Sequence, residues 1–266
     1  MINIPFTKVV PKTLEDSKTD YSKIAKTYDT YRQVKEIWLS KIIEFSEIEA
    51  DKVILDFGCG TGRYALGISD LKNPTICGLD PSIDMLRQAA EKDDGRAVNW
   101  INADGQLLPF RDFTFDSIFM TLVIHHLEDK EKAIRDVFMT LKRYGMCVIM
   151  TNSHSRVKGS YLRVFPGLIE KDLARLPTVP AIRRMMKNAG FSKTHFYPVE
   201  HNEFSPKSEI MERVRNKYIF TLTLYSDEEF ERYFTVFRKR VEEDFGDEII
   251  RHTGFDFIKG FKEKAP

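Results

Sequence analysis

The chain alternates between short apolar runs and amphipathic stretches over residues 53–151. The apolar runs predict buried strands, and stretches with apolar residues every three or four positions predict helices. Strands are expected at 53–57, 75–79, 97–102, 115–123 and 145–151, and helices at 64–69, 83–91 and 130–141. Strands that alternate with helices form a parallel sheet covered by helices on both faces.

The pattern changes after Thr151, where residues 152–180 become rich in glycine and proline. A helix over 181–189 and a sixth strand over 191–199 follow. Two helices are expected within 206–246, the second beginning at Ser226, which has capping-box spacing to Glu229. A seventh strand over 253–261 alternates in the way that is typical of an edge or antiparallel strand.

The segments before and after the alternating strands and helices predict how the chain is divided. Residues 1–20 are polar and are expected to form a flexible arm, and residues 21–50 carry the helical spacing of one or two cap helices. The segments 154–180 and 206–246 are expected to be helical insertions that hold a substrate, because long insertions at one end of an α/β sheet commonly form binding surfaces.

Composition and charge exclude several classes of protein. The 266 residues have a net charge of only +1, so no basic, nucleic-acid-binding surface is expected. No apolar run is long enough to span a membrane, and the N-terminus lacks the features of a secretory signal. The three cysteines, Cys59, Cys77 and Cys147, are widely spaced, which argues against disulfides and metal sites and favours a cytoplasmic protein.

The most informative segment is the glycine-rich turn after the first strand, Leu55-Asp-Phe-Gly-Cys-Gly-Thr-Gly-Arg63. Its Gly-x-Gly-x-Gly spacing differs from the dinucleotide fingerprint, because Arg63 occupies the third glycine position of that fingerprint. Asp56 precedes the turn, Asp80 ends the second strand 24 residues later, and Asp104 follows the third. A carboxylate in the place of Asp80 can accept both hydroxyls of a ribose. Either Asp80 or Asp104 alone could equally be a helix N-cap.

These residues resemble the class I S-adenosylmethionine-dependent methyltransferases, and within them the methyltransferase type 11 group that includes quinone-biosynthesis enzymes. The resemblance covers about residues 20–151. It is carried by the glycine turn, Gly78-Leu-Asp-Pro-Ser82, Asp104 with Leu108-Pro-Phe110, Phe115-Asp116 and Ile124-His-His-Leu-Glu128. Two departures are Leu141-Lys-Arg-Tyr-Gly145, where the group usually has Lys-Pro-Gly-Gly, and Asp104-Gly-Gln-Leu107, where Ala and Glu are commoner.

The resemblance implies a Rossmann-like sheet of seven mostly parallel strands, with helices on both faces, an antiparallel last strand and helical lid insertions. Residues 51–153 would form the S-adenosylmethionine-binding core, and residues 154–266 would complete the sheet and carry the insertions. The cofactor would be S-adenosylmethionine and its product S-adenosylhomocysteine.

The resemblance also assigns residues to parts of the cofactor. The glycines Gly58, Gly60 and Gly62 would pack on its methionine part, and Asp56 would order its amino group. Asp80 would hold the ribose, while Met85, Asp104 and Gly105 would contact the adenine. Thr121 and Val123 would line the methyl-donor side, and the N-terminal Tyr28 and Arg32 would close over the cofactor.

The expected reaction is methyl transfer to a small-molecule acceptor by in-line displacement. A base is needed only if the acceptor must lose a proton, and His126 is the candidate; both His126 and His125 could instead cap or pack their loop. Two alternatives share these features: a regulatory pseudoenzyme that keeps the cofactor site, and an NAD(P)-dependent oxidoreductase. The acceptor atom and the oligomeric state are left open by the sequence.

Overall fold

The structure is a computed structural model, and it describes residues 29, 32–96 and 98–263. Alternating strands and helices run from Glu36 to Thr151. In chain order they are α1 (Glu36–Ser46), β1 (Val53–Phe57), α2 (Arg63–Lys72), β2 (Thr75–Asp80), α3 (Ile83–Glu91), β3 (Asn99–Asn102), β4 (Phe115–Thr121), a short 3-10 helix (Ile124–His126), α4 (Lys130–Thr140) and β5 (Leu141–Thr151).

The remaining elements include a strand pair that the sequence pattern did not predict. They are α5 (His154–Gly159), a 3-10 helix (Tyr161–Val164), α6 (Leu168–Arg175), α7 (Val179–Ala189), β6 (Lys193–Val199), β7 (Asn202–Pro206), α8 (Lys207–Arg215), α9 (Phe220–Thr223), α10 (Asp227–Asp244), β8 (Glu248–His252) and β9 (Phe255–Phe261). The unpredicted pair is β7 and β8, which form a separate antiparallel sheet.

Seven strands form one sheet in the order β3-β2-β1-β4-β5-β9-β6. The pairs β1–β2, β1–β4, β2–β3 and β4–β5 are parallel, and β9 is the antiparallel strand. The Tyr144 amide donates to the Lys262 carbonyl at 2.8 Å, and the Lys262 amide donates to Gly145 at 2.9 Å. The fold class predicted from the sequence is confirmed. The last strand was expected to be an edge or antiparallel strand. Strand β9 is antiparallel, but it lies inside the sheet, between β5 and β6.

Several boundaries differ from the predicted ones for local reasons. Strand β4 ends at Thr121, because Leu122 adopts a left-handed backbone with φ of 58°. Strand β5 begins at Leu141, directly after α4. The capping box at Ser226 is confirmed: its hydroxyl accepts from the Glu229 amide at 3.2 Å, and the Glu229 carboxylate accepts from the Ser226 amide at 3.1 Å. Of the predicted cap helices within 21–50, only α1 lies among the described residues.

The chain divides into two compact units. Of the described residues, the first unit contains those up to Thr151 together with Val179–Phe196 and 257–263, and the second contains Asn152–Thr178 and Tyr197–Asp256. The core of the first unit lies on both sides of the sheet: Leu55 and Ile118 are fully buried on one face, and Ile54 and Phe119 are fully buried on the other. Burying such apolar side chains contributes about 1.5–3 kcal/mol each.

The second unit has its own aromatic core around Phe165, which is 1% exposed. The Phe165 ring lies 5.4 Å from Tyr225, 5.8 Å from Phe230 and 5.7 Å from Phe237. Most of the aromatic residues that follow Thr151 in the sequence therefore serve packing. No helix among the described residues has the length and apolarity needed to cross a membrane.

Candidate cofactor site

The glycine turn joins β1 to α2 at the carboxyl end of the sheet. Every residue of β1 is buried, and the chain turns sharply after Phe57 because Gly58, Gly60 and Gly62 all have left-handed backbones, with φ of 74°, 56° and 73°. The Gly58 amide donates to the Leu79 carbonyl at 2.7 Å, which fastens the turn to the end of β2.

The three glycines meet different surroundings. A Cβ on Gly58 would lie 2.4 Å from a methyl of Val123, and one on Gly62 would lie 2.4 Å from the Trp100 ring. A Cβ on Gly60 would meet no described atom within 4 Å. Gly58 and Gly62 are therefore required for close packing within the protein, and Gly60 presents bare backbone to open space. Contact of all three with a ligand stays a prediction.

Asp56 is a completely buried carboxyl group beneath this turn. Neither of its oxygens has a hydrogen-bond partner of ordinary geometry among the described residues. Burial raises the pKa of Asp56 from its ordinary value of 3.8 to about 8; the Asp80 charge adds to the rise, while the Arg63 guanidinium and the Ala65 amide oppose it. A buried acid without a partner is costly to ionise, so Asp56 is a group for which a cationic ligand would supply the missing partner.

Asp80 connects the end of β2 to the glycine turn. One carboxylate oxygen accepts from the Gly60 amide at 2.9 Å, and the other accepts from the Ser82 amide at 2.8 Å. Burial raises the pKa of Asp80, and these two amides oppose the rise. The N-cap of α3 is Ser82, whose hydroxyl accepts from the Met85 amide. The reading of Asp80 as that helix's N-cap is therefore wrong.

The third acidic position lies beside β2 and β3. Asp104 accepts from the Gln106 amide at 3.0 Å in a turn, and it caps no helix. A Cβ on Gly105 would lie 2.4 Å from the Phe57 ring, so this position requires glycine. Met85 is 2% exposed in the first turn of α3. Because β1, β2 and β3 are adjacent and parallel, Asp56, Asp80 and Asp104 all lie toward the same edge of the sheet.

The chain leaves β4 at this same edge. Thr121 is the last residue of β4, and the Leu122 amide extends the pairing with a 2.9 Å bond to the Met150 carbonyl. Val123 then packs against Gly58, and the 3-10 helix that follows carries His125 and His126, whose ring centroids are 4.1 Å apart. The structure thus brings the residues expected on the methyl-donor side next to the glycine turn.

Sequence reasoning did not identify Trp100 or Thr61 as parts of this site. The Trp100 ring fills the space over Gly62 and Gly78, and its Nε1 donates to Asp93 at 3.0 Å. The Thr61 hydroxyl donates to the Asp29 carboxylate at 2.6 Å. The feature of the sequence that could have indicated Trp100 is the pair of glycines at 62 and 78, because glycines on neighbouring elements leave room for a large ring.

Of the two N-terminal residues expected to close over the cofactor, Arg32 is among the described residues, and its contact with a cofactor stays a prediction. Asp29 also pairs with Lys92 at 2.5 Å, and the Arg63 guanidinium donates to the Arg32 carbonyl, so the segment before α1 reaches the glycine turn. Tyr28 lies outside the described residues. Among the described residues, no group of three or more histidine, cysteine or acidic side chains is arranged to hold a metal ion.

Comparison with known proteins shows what this part of the chain is similar to. Residues 55–149 match the model of a methyltransferase domain family. The chain is 25% identical over 190 residues to the ubiquinone/menaquinone biosynthesis C-methyltransferase of Pasteurella multocida, covering 62% of this chain and 71% of that protein. It is 29% identical over 153 residues to a phosphoethanolamine N-methyltransferase of Triticum aestivum, covering 57% of this chain but only 30% of that protein.

A solved structure agrees with the fold. The phosphoethanolamine N-methyltransferase 2 of Haemonchus contortus, in complex with phosphomonomethylethanolamine and S-adenosylhomocysteine, superposes with a TM-score of 0.62 at 17% identity, covering 91% of this chain and 58% of that one. At that identity the likeness shows the fold alone. Together with the family match over residues 55–149, these similarities confirm that the chain resembles the class I S-adenosylmethionine-dependent methyltransferases, and within them the methyltransferase type 11 group.

Proposed function

We propose that the protein transfers a methyl group from S-adenosylmethionine to a small-molecule acceptor by in-line displacement. The observation that carries this proposal is the fully buried Asp56 carboxyl, which has no hydrogen-bond partner of ordinary geometry among the described residues. It lies beneath Gly60, where an added Cβ would meet no described atom within 4 Å. An amino-acid ammonium fits the first feature, and close approach of a ligand fits the second. The residues present therefore suit an adenosyl amino-acid sulfonium.

Each residue would hold a different part of this cofactor. Asp56 would accept from its ammonium, Asp80 from its ribose hydroxyls, and Asp104 from the adenine edge. When bound, S-adenosylmethionine supplies a methyl group that is already activated on a positively charged sulfur. Thr121 and Val123 would exclude water from the donor side and fix the direction of approach, and orientation of this kind accounts for several orders of magnitude in rate.

Ligand-dependent stability of the full chain tests the cofactor assignment. A ligand that binds only the folded state raises the melting temperature by mass action. We expect S-adenosylmethionine and S-adenosylhomocysteine to stabilise the protein, and NAD and NADP to have no effect. Stabilisation by NAD alone would favour the oxidoreductase alternative. Binding of S-adenosylmethionine without release of S-adenosylhomocysteine across a panel of small acceptors would favour the pseudoenzyme.

Asp80→Asn should weaken S-adenosylhomocysteine binding by about 10- to 100-fold, because hydrogen bonds to a charged group contribute about 1.5–3 kcal/mol. Isothermal titration calorimetry measures this directly. The control is Asp84→Asn, which removes an exposed carboxylate four residues further on, paired with Arg87 at 2.9 Å. If Asp80→Asn bound S-adenosylhomocysteine as tightly as the wild-type protein does, the ribose would not be held by Asp80.

His126 is proposed as the general base for acceptors that lose a proton. With such an acceptor, His126→Gln should lower the rate of S-adenosylhomocysteine release by about 100-fold or more, since a positioned base contributes that much. Affinity for S-adenosylhomocysteine should stay within twofold. His125→Gln is the neighbouring comparison. An unchanged rate in His126→Gln would assign that residue to the packing of its turn.

A further inference from the structure

Tyr144 combines an exposed aromatic side chain with a left-handed backbone. It is the fourth residue of β5, its φ is 63°, and it is 68% exposed. Any side chain with a Cβ strains the backbone in this region, so glycine is the residue that adopts it readily. Packing inside the first unit does not offset the strain, because most of the residue is exposed. Strained residues of this kind cluster at binding and functional surfaces.

Phe113 repeats this combination close to Tyr144. It lies in the turn before β4, its φ is 57°, and it is 49% exposed. Its amide donates at 3.2 Å to the carbonyl of Met139, which is 46% exposed. The Lys262 carbonyl accepts from the Tyr144 amide at 2.8 Å, and the Lys262 Nζ lies 4.5 Å from the centre of the Phe113 ring. Phe113, Met139 and Tyr144 therefore form an exposed apolar patch around Lys262, and such patches mark interaction sites.

Lys262 holds this apolar patch in one arrangement. It is buried, and its Nζ donates to the carbonyls of Phe138 and Leu141 at 2.6 Å each and to that of Met139 at 3.3 Å. These carbonyls lie at the end of α4, where a helix leaves its last carbonyls without partners of its own. A surface that is fixed before binding loses little conformational freedom when a partner docks.

A cavity of about 310 Å³ lies beside the patch. It is lined by Tyr144, Lys193, His195, Phe261, Lys262 and Glu263, all in the first unit. Lys193 and Glu263 pair at 3.3 Å, and both side chains are more than half exposed. An exposed pair of this kind contributes little to stability, so both charges can take other partners. The cavity lies at the start of β5, whereas the glycine turn lies at the carboxyl ends of the parallel strands.

We propose that this surface is the interface of a two-fold dimer, in which Tyr144 of each copy enters the cavity of the other. In such a contact the same patch meets itself, so one surface must carry both an exposed group and a recess for it. Tyr144 and the neighbouring cavity form that combination. The charges are also self-complementary, because Lys193 can face the partner's Glu263. A strongly charged partner of another kind would be repelled by one of these two side chains.

Sedimentation equilibrium of the full chain tests the proposal. We expect a reversible monomer–dimer equilibrium with a dissociation constant of about 10 µM, as a small interface would give. Tyr144→Gly should weaken association by about 30-fold, because buried tyrosines are frequent hot spots. The melting temperature of its monomer should not fall, since glycine adopts a left-handed backbone without strain. A damaged fold would lower that temperature, so the two measurements separate a lost contact from misfolding.

Two matched variants leave the Tyr144 ring in place. Tyr144→Phe removes only the hydroxyl, and its association should stay within about threefold of the wild-type value. Asn73→Gly relieves another exposed left-handed residue of the first unit, with φ of 48° at the end of α2, and should leave association unchanged.

Reversal of the charges tests the pairing across the two-fold axis. Lys193→Glu should weaken association about tenfold, because it faces the partner's Glu263 with a like charge. Adding Glu263→Lys to the same chain should restore association. Both side chains are exposed, so these variants carry the test if Tyr144→Gly does not fold.

The dimer is overturned if the wild-type protein stays monomeric at about 200 µM, well above the expected dissociation constant. It is also overturned if Tyr144→Gly associates as the wild-type protein does, or if Glu263→Lys fails to rescue Lys193→Glu. The proposal does not rest on the proposed function. Tyr144→Gly and the wild-type protein should bind S-adenosylhomocysteine equally, because the cavity and the glycine turn lie at opposite ends of the strands.

Discussion

Gly60→Ala is expected to lower the affinity for S-adenosylhomocysteine by about 10- to 100-fold while the protein still folds. A methyl group at this position would enter the open space beside the turn, and an extra methyl in a close-packed contact costs about 1–3 kcal/mol. The left-handed backbone, with φ of 56°, adds about 1–2 kcal/mol of lost stability for any residue with a Cβ. Calorimetric titration gives the affinity, and urea unfolding gives the stability.

Gly95→Ala separates these two effects. Gly95 also has a left-handed backbone, with φ of 77°, and a Cβ there would likewise meet no described atom within 4 Å, but it lies in the turn after α3 and not in the glycine turn. We expect the two variants to lose similar stability and only Gly60→Ala to lose affinity. Equal affinities in the two variants would mean that no ligand approaches Gly60.

Asp56→Asn is expected to remove the contribution of position 56 to the pH dependence of the free energy of unfolding of the ligand-free protein. Because the folded-state pKa of about 8 exceeds the ordinary value of 3.8, the folded protein holds a proton that the unfolded chain releases between about pH 4 and pH 8. The free energy of unfolding therefore falls as the pH rises through that window. At pH 7 the loss amounts to about 4 kcal/mol.

The variant removes this loss, so its stability relative to the wild-type protein should increase from pH 5 to pH 8. Urea unfolding at several pH values measures the difference, and Asp84→Asn controls for the loss of one carboxylate from the chain. The same change should weaken S-adenosylhomocysteine binding, because a neutral amide cannot pair with an ammonium as a carboxylate does. Parallel pH profiles of Asp56→Asn and the wild-type protein would contradict a buried, proton-holding Asp56.

The pattern along the chain predicted the first five strands of the sheet and the position of three acidic residues at strand ends. Apolar runs separated by amphipathic stretches predict β1 to β5, and the signal is clearest for the inner strands, because the inner strands of a parallel sheet are buried on both faces. The edge strand β3 is only partly buried. The spacing of Asp56, Gly60, Asp80 and Asp104 predicts their convergence, since the carboxyl ends of parallel strands share one edge. The second unit was harder to predict from the sequence. Strands β7 and β8 are short and pair with each other although they are far apart in the sequence, so no local periodicity indicates this pairing.

The sequence by itself determined the order of the elements from β1 to β5, the glycine turn and the acidic residues at the strand ends, because these depend on local spacing and backbone freedom. Only the tertiary structure decided that Gly60 faces open space while Gly58 and Gly62 are packed by Val123 and Trp100. It alone decided that neither oxygen of Asp56 has a hydrogen-bond partner of ordinary geometry among the described residues. The physical reason is that burial and electrostatic pairing depend on side chains from distant segments, whose meeting is fixed only when the chain has folded.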